Sequence, residues 1–379
     1  MLGIRNRKFL YATSALMSTM VGVGIFGLPF AFSKSGFFVG LGFLVLITLI
    51  TLLIDWMYGE IVLRTEAKHQ LVGYTRLYLG PTFQKLIFFA AVFTGYSALL
   101  AYTIIAGDFL NTIFSSFFYA SLQTYSLLFL SIVSLLVLRG LKTVSWIDFF
   151  VAILLFIVVI LVILSGITDI QPSNLTEWNY EFWFLPYGVL LFAFSGLLGV
   201  PIQREILQGQ EHRLKKSIFW AVLLVAILYA LFSFIVVGIS GDTTTPDVVG
   251  GLYEYIGSNI VFLVSIFGIL AISTCFLMLA SGMLEIFNFD FDIPRVKAWA
   301  LVVFPPAFLY LAGIRTFVNV ISLAGAVAIA LEGIILVFIY AKAKHKGQRV
   351  PEYSLHIPKW ILYALIFVFI AGMAYAFIS

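Results

Sequence analysis

Charge is scarce in this sequence. Only 11% of its 379 residues are Asp, Glu, Lys or Arg, against 62% hydrophobic, and the mean hydropathy is +1.09. That balance excludes a soluble globular chain, because water would meet too much apolar surface. Cysteine is scarcer still: a single one, Cys275, excludes an internal disulfide and a thiolate cluster. The four histidines, His69, His212, His345 and His356, all fall between the long apolar runs. A membrane-embedded haem or a His-rich metal site therefore has no ligands, and no cofactor is expected. No phosphate-binding loop, convergent nucleophile or acid–base pair is visible, so an enzyme is not expected either. The short alternating segments of a transmembrane β-barrel are also missing.

What the sequence has is apolar runs from end to end, all but the short ninth of about 20 residues or more, enough for a hydrocarbon core of roughly 30 Å. They read as eleven spans at about 9–32, 36–63, 83–110, 121–139, 144–168, 184–207, 217–240, 259–285, 298–313, 316–341 and 359–378. The first follows Arg5-Asn6-Arg7-Lys8 and runs past Phe30, too long for a cleaved signal, so it reads as an uncleaved span. With the N-terminus in the cytoplasm, the inner segments collect every basic residue of the 22 except Lys34 and Arg315. Outer loops carry acids instead: Asp169, Glu177, Glu181, Asp242, Asp247 and Glu254. This alternation supports the span count, a cytoplasmic N-terminus and an external C-terminus in the plasma (inner) membrane. It also accounts for the pI of about 9.0. The cluster from Lys342 to Arg349 then faces anionic lipid rather than nucleic acid.

Two spans carry the same interruption. Gly24-Ile25-Phe26-Gly27-Leu28-Pro29 in the first and Gly196-Leu197-Leu198-Gly199-Val200-Pro201 in the sixth both read G-x-x-G, an aliphatic residue, then proline. Glycine weakens a helix and proline deletes a backbone donor. In lipid, freed backbone groups are tolerated only where protein buries them or they line a watery cavity. Interruptions at matching positions in two halves point to a transporter's binding site. Five spans, five spans and one extra follow, and because five is odd the halves are inverted. The expected fold is an all-α membrane protein of 11 helices, 1–379 forming one domain. Repeat one covers about 9–168, repeat two about 184–341, and the extra helix about 359–378.

A helix that unwinds near Gly22-Val23-Gly24-Ile25 aims the N–H groups of its outer half at the cavity, which suits a carboxylate. The second break, at Phe194-Ser195-Gly196, ends its first half with free carbonyls that suit an ammonium group. No charged side chain lies between them. The expected substrate is an α-amino acid with a neutral side chain. Phe192, Phe194 and Ser195 are candidates for the pocket wall. Tyr96 and Tyr102 lie six apart on span three and so face different directions; one of them is expected to donate to the carboxylate, and Tyr96 is the substrate-binding candidate.

Gly22-Val23-Gly24-Ile25-Phe26-Gly27-Leu28-Pro29-Phe30-Ala31 resembles the first-span signature of the amino acid/auxin and hydroxy/aromatic amino acid permeases, of the amino acid–polyamine–organocation superfamily. Similar patterns recur at Leu79-Gly80, at Gly95-Tyr96-Ser97-Ala98-Leu99-Leu100-Ala101-Tyr102 and at Ser273-Thr274. The resemblance covers nearly the whole chain. It implies the five-plus-five inverted fold and amino acid transport coupled to Na⁺ or H⁺. It implies a sodium site from Ser273, Thr274 and carbonyls near Ser18, Val21 and Leu270, hard-cation ligands all. Some proton-coupled relatives replace that ion with a span-five lysine, and Val144 to Thr168 contains none.

Intramembrane acids are functional suspects. Glu332, about two turns inside span ten, is the alternative carrier, of a proton. Glu285 with Arg5 or Arg7 is a candidate inner latch, and Asp108 with Lys34 an outer one. The leading expectation is an ion-coupled symporter of neutral, aromatic or other large amino acids, embedded in lipid, working by alternating access. The rivals are a transporter-derived amino acid sensor and a carrier of another small zwitterionic solute.

Overall fold

The computed structural model describes residues 2–140, 156–157, 159–160, 162, 164–290 and 292–378, with the side chains of 2–5, 249, 254, 256 and 289–290 also left out. Span five of the sequence reading falls mostly outside the described residues. Within them the chain is helical, and its sole β-contact is an isolated bridge between Gly36 and Trp178.

The first span is α1 (Leu2–Met20) and α2 (Gly24–Ser35), bent by 58° at the break. Gly36, at φ 97°, turns the chain into α3 (Phe37–Arg64), a left-handed backbone that glycine adopts without a Cβ clash. A short α4 (Leu71–Leu79) closes on Gly80 at φ 91°, and Pro81 opens α5 (Pro81–Phe114). Proline is well placed there, because a first-turn N–H has no helical partner anyway. The Ser121 hydroxyl caps α6 (Leu122–Leu138) by accepting from the Thr124 N–H at 3.2 Å.

The sixth span is the pair α7 (Leu185–Ala193) and α8 (Gly199–Ile206). After it come α9 (Leu214–Ser240), α10 (Val249–Ile256), α11 (Ser258–Glu285) and α12 (Arg295–Leu311). The tenth span runs through α13 (Phe317–Leu323), a π-helical stretch over Ala324–Ile329 and α14 (Ala330–Lys346). The extra helix is α15 (Lys359–Ile378). Among the described residues six helices are long and apolar enough to cross a membrane, and the bent first pair makes seven. The others are the divided sixth span, the short α6, and α12, which holds Pro305 and Pro306.

Every described span of the first five packs on the span five places later. α1 lies on α8 and α2 on α7; α3 lies on α9, α5 on α11, and α6 on α12. The N-terminal half of one broken helix thus meets the C-terminal half of the other. This crossed, antiparallel pairing is the five-plus-five inverted repeat. Where α7 meets span ten the backbones themselves touch. A Cβ on Gly325 would fall 1.9 Å from the Gly188 carbonyl oxygen, so glycine alone fits. The π-helical turn beside it is the irregularity often found next to functional sites.

Candidate functional site

The two breaks meet at one side chain that the sequence reading did not single out. Tyr229, in the middle of α9, is fully buried. Its hydroxyl lies 2.9 Å from the Met20 carbonyl oxygen, at the end of α1, and 2.8 Å from the Ala193 carbonyl oxygen, at the end of α7. Both lie at the ends of helices that stop at a break, where carbonyls lose their i+4 N–H partners. A hydroxyl carries one proton, so it satisfies one of the two at a time and leaves acceptor capacity at the junction. Phe194 holds the Tyr229 ring edge-on, at 5.1 Å between centroids. The signal in the sequence was slight: one tyrosine in an otherwise aliphatic and phenylalanine-rich span.

At the first break Gly22 donates to the Met20 oxygen, Ile25 to Gly22 and Phe26 to Val23. Among the described backbone bonds none uses the Val23 or Gly24 N–H. These donors sit at the positive end of α2. A Cβ on Gly22 would lie 3.7 Å from the Tyr102 hydroxyl and 3.9 Å from the Cys275 sulfur. Span three therefore presents Tyr102 to the break. Tyr96 is turned away, with its hydroxyl donating to the Leu301 carbonyl on α12 at 2.7 Å. Six residues of helix separate the two by two-thirds of a turn, and the packing of α5 chooses between them.

The repeated glycines serve the crossing of the helices. A Cβ on Gly24 would stand 2.7 Å from the Ala193 Cα, and one on Gly196 2.6 Å from the Met20 side chain. Gly27 and Gly199 are equally tight, against Ile321 and Thr19. A side chain at Gly24 or Gly196 would strike the other broken helix.

At the second break Ser195 is half-buried and Gly196 buried, while Phe192 and Phe194 are in the core. Ile25 and Val23 are buried as well. Toward the acidic end of the bundle lies an aromatic cluster, in which Phe26 meets Phe109 at 5.1 Å and Phe232 at 6.5 Å. Beyond it opens a cavity of about 850 Å³ lined by Phe30, Lys34, Glu177, Trp178 and Asp242 among others. The Asp242 carboxylate pushes Glu177 above the usual carboxylate range.

The remaining candidates are dispersed. The Ser18, Ser273 and Thr274 hydroxyls each donate to a carbonyl of their own helix, those of Ala15, Ile269 and Ala271. Val21 is buried, whereas Leu270 is 47% exposed. Glu332 faces span three and accepts from the Thr94 hydroxyl at 3.2 Å. Lys34 donates to the Asp242 carbonyl and lies over Phe30. It does not reach for Asp108, which faces Asp247. Arg7 is exposed; the Arg5 side chain, and with it the Arg5–Glu285 pairing, lies outside the described residues. Among the described residues no group of three His, Cys, Asp or Glu is placed to hold a metal.

Known proteins share this architecture. The structure superposes on that of MhsT in complex with L-phenylalanine with a TM-score of 0.60, covering 97% of this chain and 98% of that one at 16% identity. A Plasmodium falciparum protein provisionally named amino acid transporter AAT1 is 26% identical over 246 residues, which are 62% of this chain and 39% of that protein. Its namesake from Plasmodium berghei is 24% identical over a segment of the same extent. The chain thus spans about two-fifths of the length of these relatives. The model of the tryptophan/tyrosine permease family matches residues 5–376. A multi-pass helical membrane protein with two crossed, broken spans, matched over nearly its whole length, this chain belongs to the tryptophan/tyrosine permease family.

Proposed function

We propose that this permease carries neutral amino acids with large, aromatic side chains, in symport with a cation, by alternating access. The observation that carries this reading is the convergence of both helix breaks on Tyr229. The substrate carboxylate takes the Val23 and Gly24 N–H groups, with Tyr102 as hydroxyl donor. The substrate ammonium takes whichever of the Met20 and Ala193 carbonyls the Tyr229 proton leaves free. Ile25, Phe192, Phe194, Ser195 and Gly196 border the side chain. MhsT holds L-phenylalanine in a chain of the same fold, which supports an aromatic substrate. The Phe26–Phe109–Phe232 cluster closes the site toward the acidic end. Leu198 at the second break is 53% exposed, which fits access from the basic, cytoplasmic end.

The coupling ion in this reading is a proton carried by Glu332. It is half-buried in the bundle and accepts from the Thr94 hydroxyl, and intramembrane acids commonly serve proton transfer. The sodium reading, through Ser18, Val21, Leu270, Ser273 and Thr274, keeps the lone pairs of the two α11 hydroxyls as ligands. Uptake of L-tryptophan into proteoliposomes under imposed H⁺ and Na⁺ gradients tests both. The proton reading expects accumulation with a pH gradient, lost in Glu332→Gln. Accumulation that needs Na⁺ and fails in Ser273→Ala with Thr274→Ala would overturn it. No accumulation under either gradient, with binding intact, would favour a sensor.

A further inference from the structure

Span two buries two polar groups for which the substrate site has no use. Asp55 is 1% exposed and Tyr58 fully buried, and the Asp55 Oδ2 and the Tyr58 hydroxyl have no hydrogen-bond partner. They sit three residues apart on α3, so their side chains share a face. Orphan polar atoms in a packed interior are costly and rare, and each asks for a proton, a water or a function. Tyr58 lies within electrostatic reach of both Asp55 and Glu332. The helix that carries Glu332, α14, packs directly on α3, so the acid of span ten and the acid of span two lie on neighbouring helices.

From Asp55 the polar groups continue to the basic end. Tyr353, in the segment between α14 and α15, is within reach of Asp55 and of Glu60. Its hydroxyl donates to the Trp56 carbonyl at 2.7 Å, in the seam between α3 and α9: a Cβ on Gly59 would meet both Tyr353 and Ile218. Glu60 is fully buried, yet every one of its partners leads outward. It accepts from the Ser354 hydroxyl at 3.0 Å, from the Leu355 N–H at 2.6 Å and from Arg64 at 2.8 Å. Ser354 is exposed. The segment 348–358 is thus strapped over the end of α3, with Gln348 and Arg349 N–H groups on the Arg64 carbonyl.

We propose that Glu332, Tyr58, Asp55 and Tyr353 form a proton path from the centre of the bundle to the basic end, with Glu60 and Ser354 at its mouth. The chain has the chemistry for it: two carboxyls that bind or release a proton, and two hydroxyls that pass one on by donating and accepting together. No atom other than the proton moves. The remaining charged and titratable groups facing the path are few. Tyr74 of α4 meets Tyr58 edge-on at 5.8 Å. Tyr340 and Lys344 of α14 both donate to the Leu355 carbonyl. Arg204 of α8 is bonded to the Val62 carbonyl, and Lys215 of α9 lies over Trp56. None of these cations is paired with Asp55, which leaves it free to change charge.

The inference rests on the proton reading of Glu332 and deepens it. L-Tryptophan uptake driven by a pH gradient is to be measured in proteoliposomes of wild type, Asp55→Asn, Tyr58→Phe and Glu332→Gln. L-Tryptophan binding to each purified variant is followed alongside. Asp55→Asn and Glu332→Gln should slow gradient-driven uptake by about a hundredfold, and Tyr58→Phe by about tenfold, the scale of losing a proton-transfer group, while binding stays within twofold. If Glu332→Gln loses the response and the two span-two variants keep it, the path is wrong and the Glu332 reading stands. If wild type itself ignores the pH gradient, both fall. Should Asp55→Asn fail to fold, Tyr353→Phe decides the matter by deleting one oxygen from a loop. Uptake slowed several-fold supports the path, and an unchanged rate overturns it.

Discussion

The two helix breaks share a sequence pattern and differ in what surrounds them. The first is short, Val21 to Val23, and its flanking Val21 and Val23 are buried. The second is longer, Phe194 to Leu198, and Leu198 stands 53% exposed. The repeated glycines make room for the crossing in both, Gly24 against the Ala193 backbone and Gly196 against the Met20 side chain. The glycine with room beside it, Gly22, lies outside the repeated pattern. Repetition in the sequence therefore records the symmetry of the crossing, while the position we propose to face the ligand is the one that breaks that symmetry.

The largest expected effect comes from breaking the crossing. Gly24→Val would set a Cβ 2.7 Å from a backbone atom that cannot swing aside. Overpacking of that kind costs about 1–3 kcal/mol or more, since a backbone must shift. The monodisperse fraction on size-exclusion chromatography should collapse, whereas Gly22→Val should remain folded and lose L-tryptophan binding. Equal behaviour of the two would erase the distinction between crossing and ligand positions.

Tyr229→Phe comes next. It leaves the Met20 and Ala193 carbonyls buried without their shared donor, at a cost of about 1–3 kcal/mol. A lowered melting temperature and L-tryptophan affinity weakened about tenfold are expected together; a change in neither would separate Tyr229 from both breaks. Smaller again is the contrast on span three. Tyr102→Phe should raise the KM for L-tryptophan up to about tenfold, the scale of one net hydrogen bond. Tyr96→Phe loses only its bond to Leu301 and should leave KM unchanged. A reversed pair would return the carboxylate to Tyr96.

Much of the fold was legible because hydropathy, loop charge and broken helices are one-dimensional signals. Span positions, the inverted halves and even the short helix after Gln70 follow from them. The structure packs that helix, α4, against α5 and α14 with Tyr74 buried. The site was legible only as far as the breaks. Which tyrosine of span three faces Gly22, and that Tyr229 of span seven closes on both carbonyls, depend on the rotation of each helix about its axis. Apolar spans hide that rotation because their faces are alike in composition. Lys34 shows the same limit at the acidic end, where it turns to Asp242 rather than Asp108. The strap from Gln348 to Pro358 was invisible for another reason: its contacts with Glu60 and Trp56 join residues nearly 300 positions apart.

The central claim is that one break holds a carboxylate and the other an ammonium. Competition binding to the purified permease addresses it directly, with L-tryptophan displaced by tryptamine, which lacks the carboxylate, or by indole-3-propionate, which lacks the ammonium. Each analogue forfeits charge-assisted hydrogen bonds of about 1.5–3 kcal/mol. The account predicts that both bind at least about tenfold more weakly than L-tryptophan. An analogue that competes as well as L-tryptophan would contradict the role assigned to the break whose partner group it lacks.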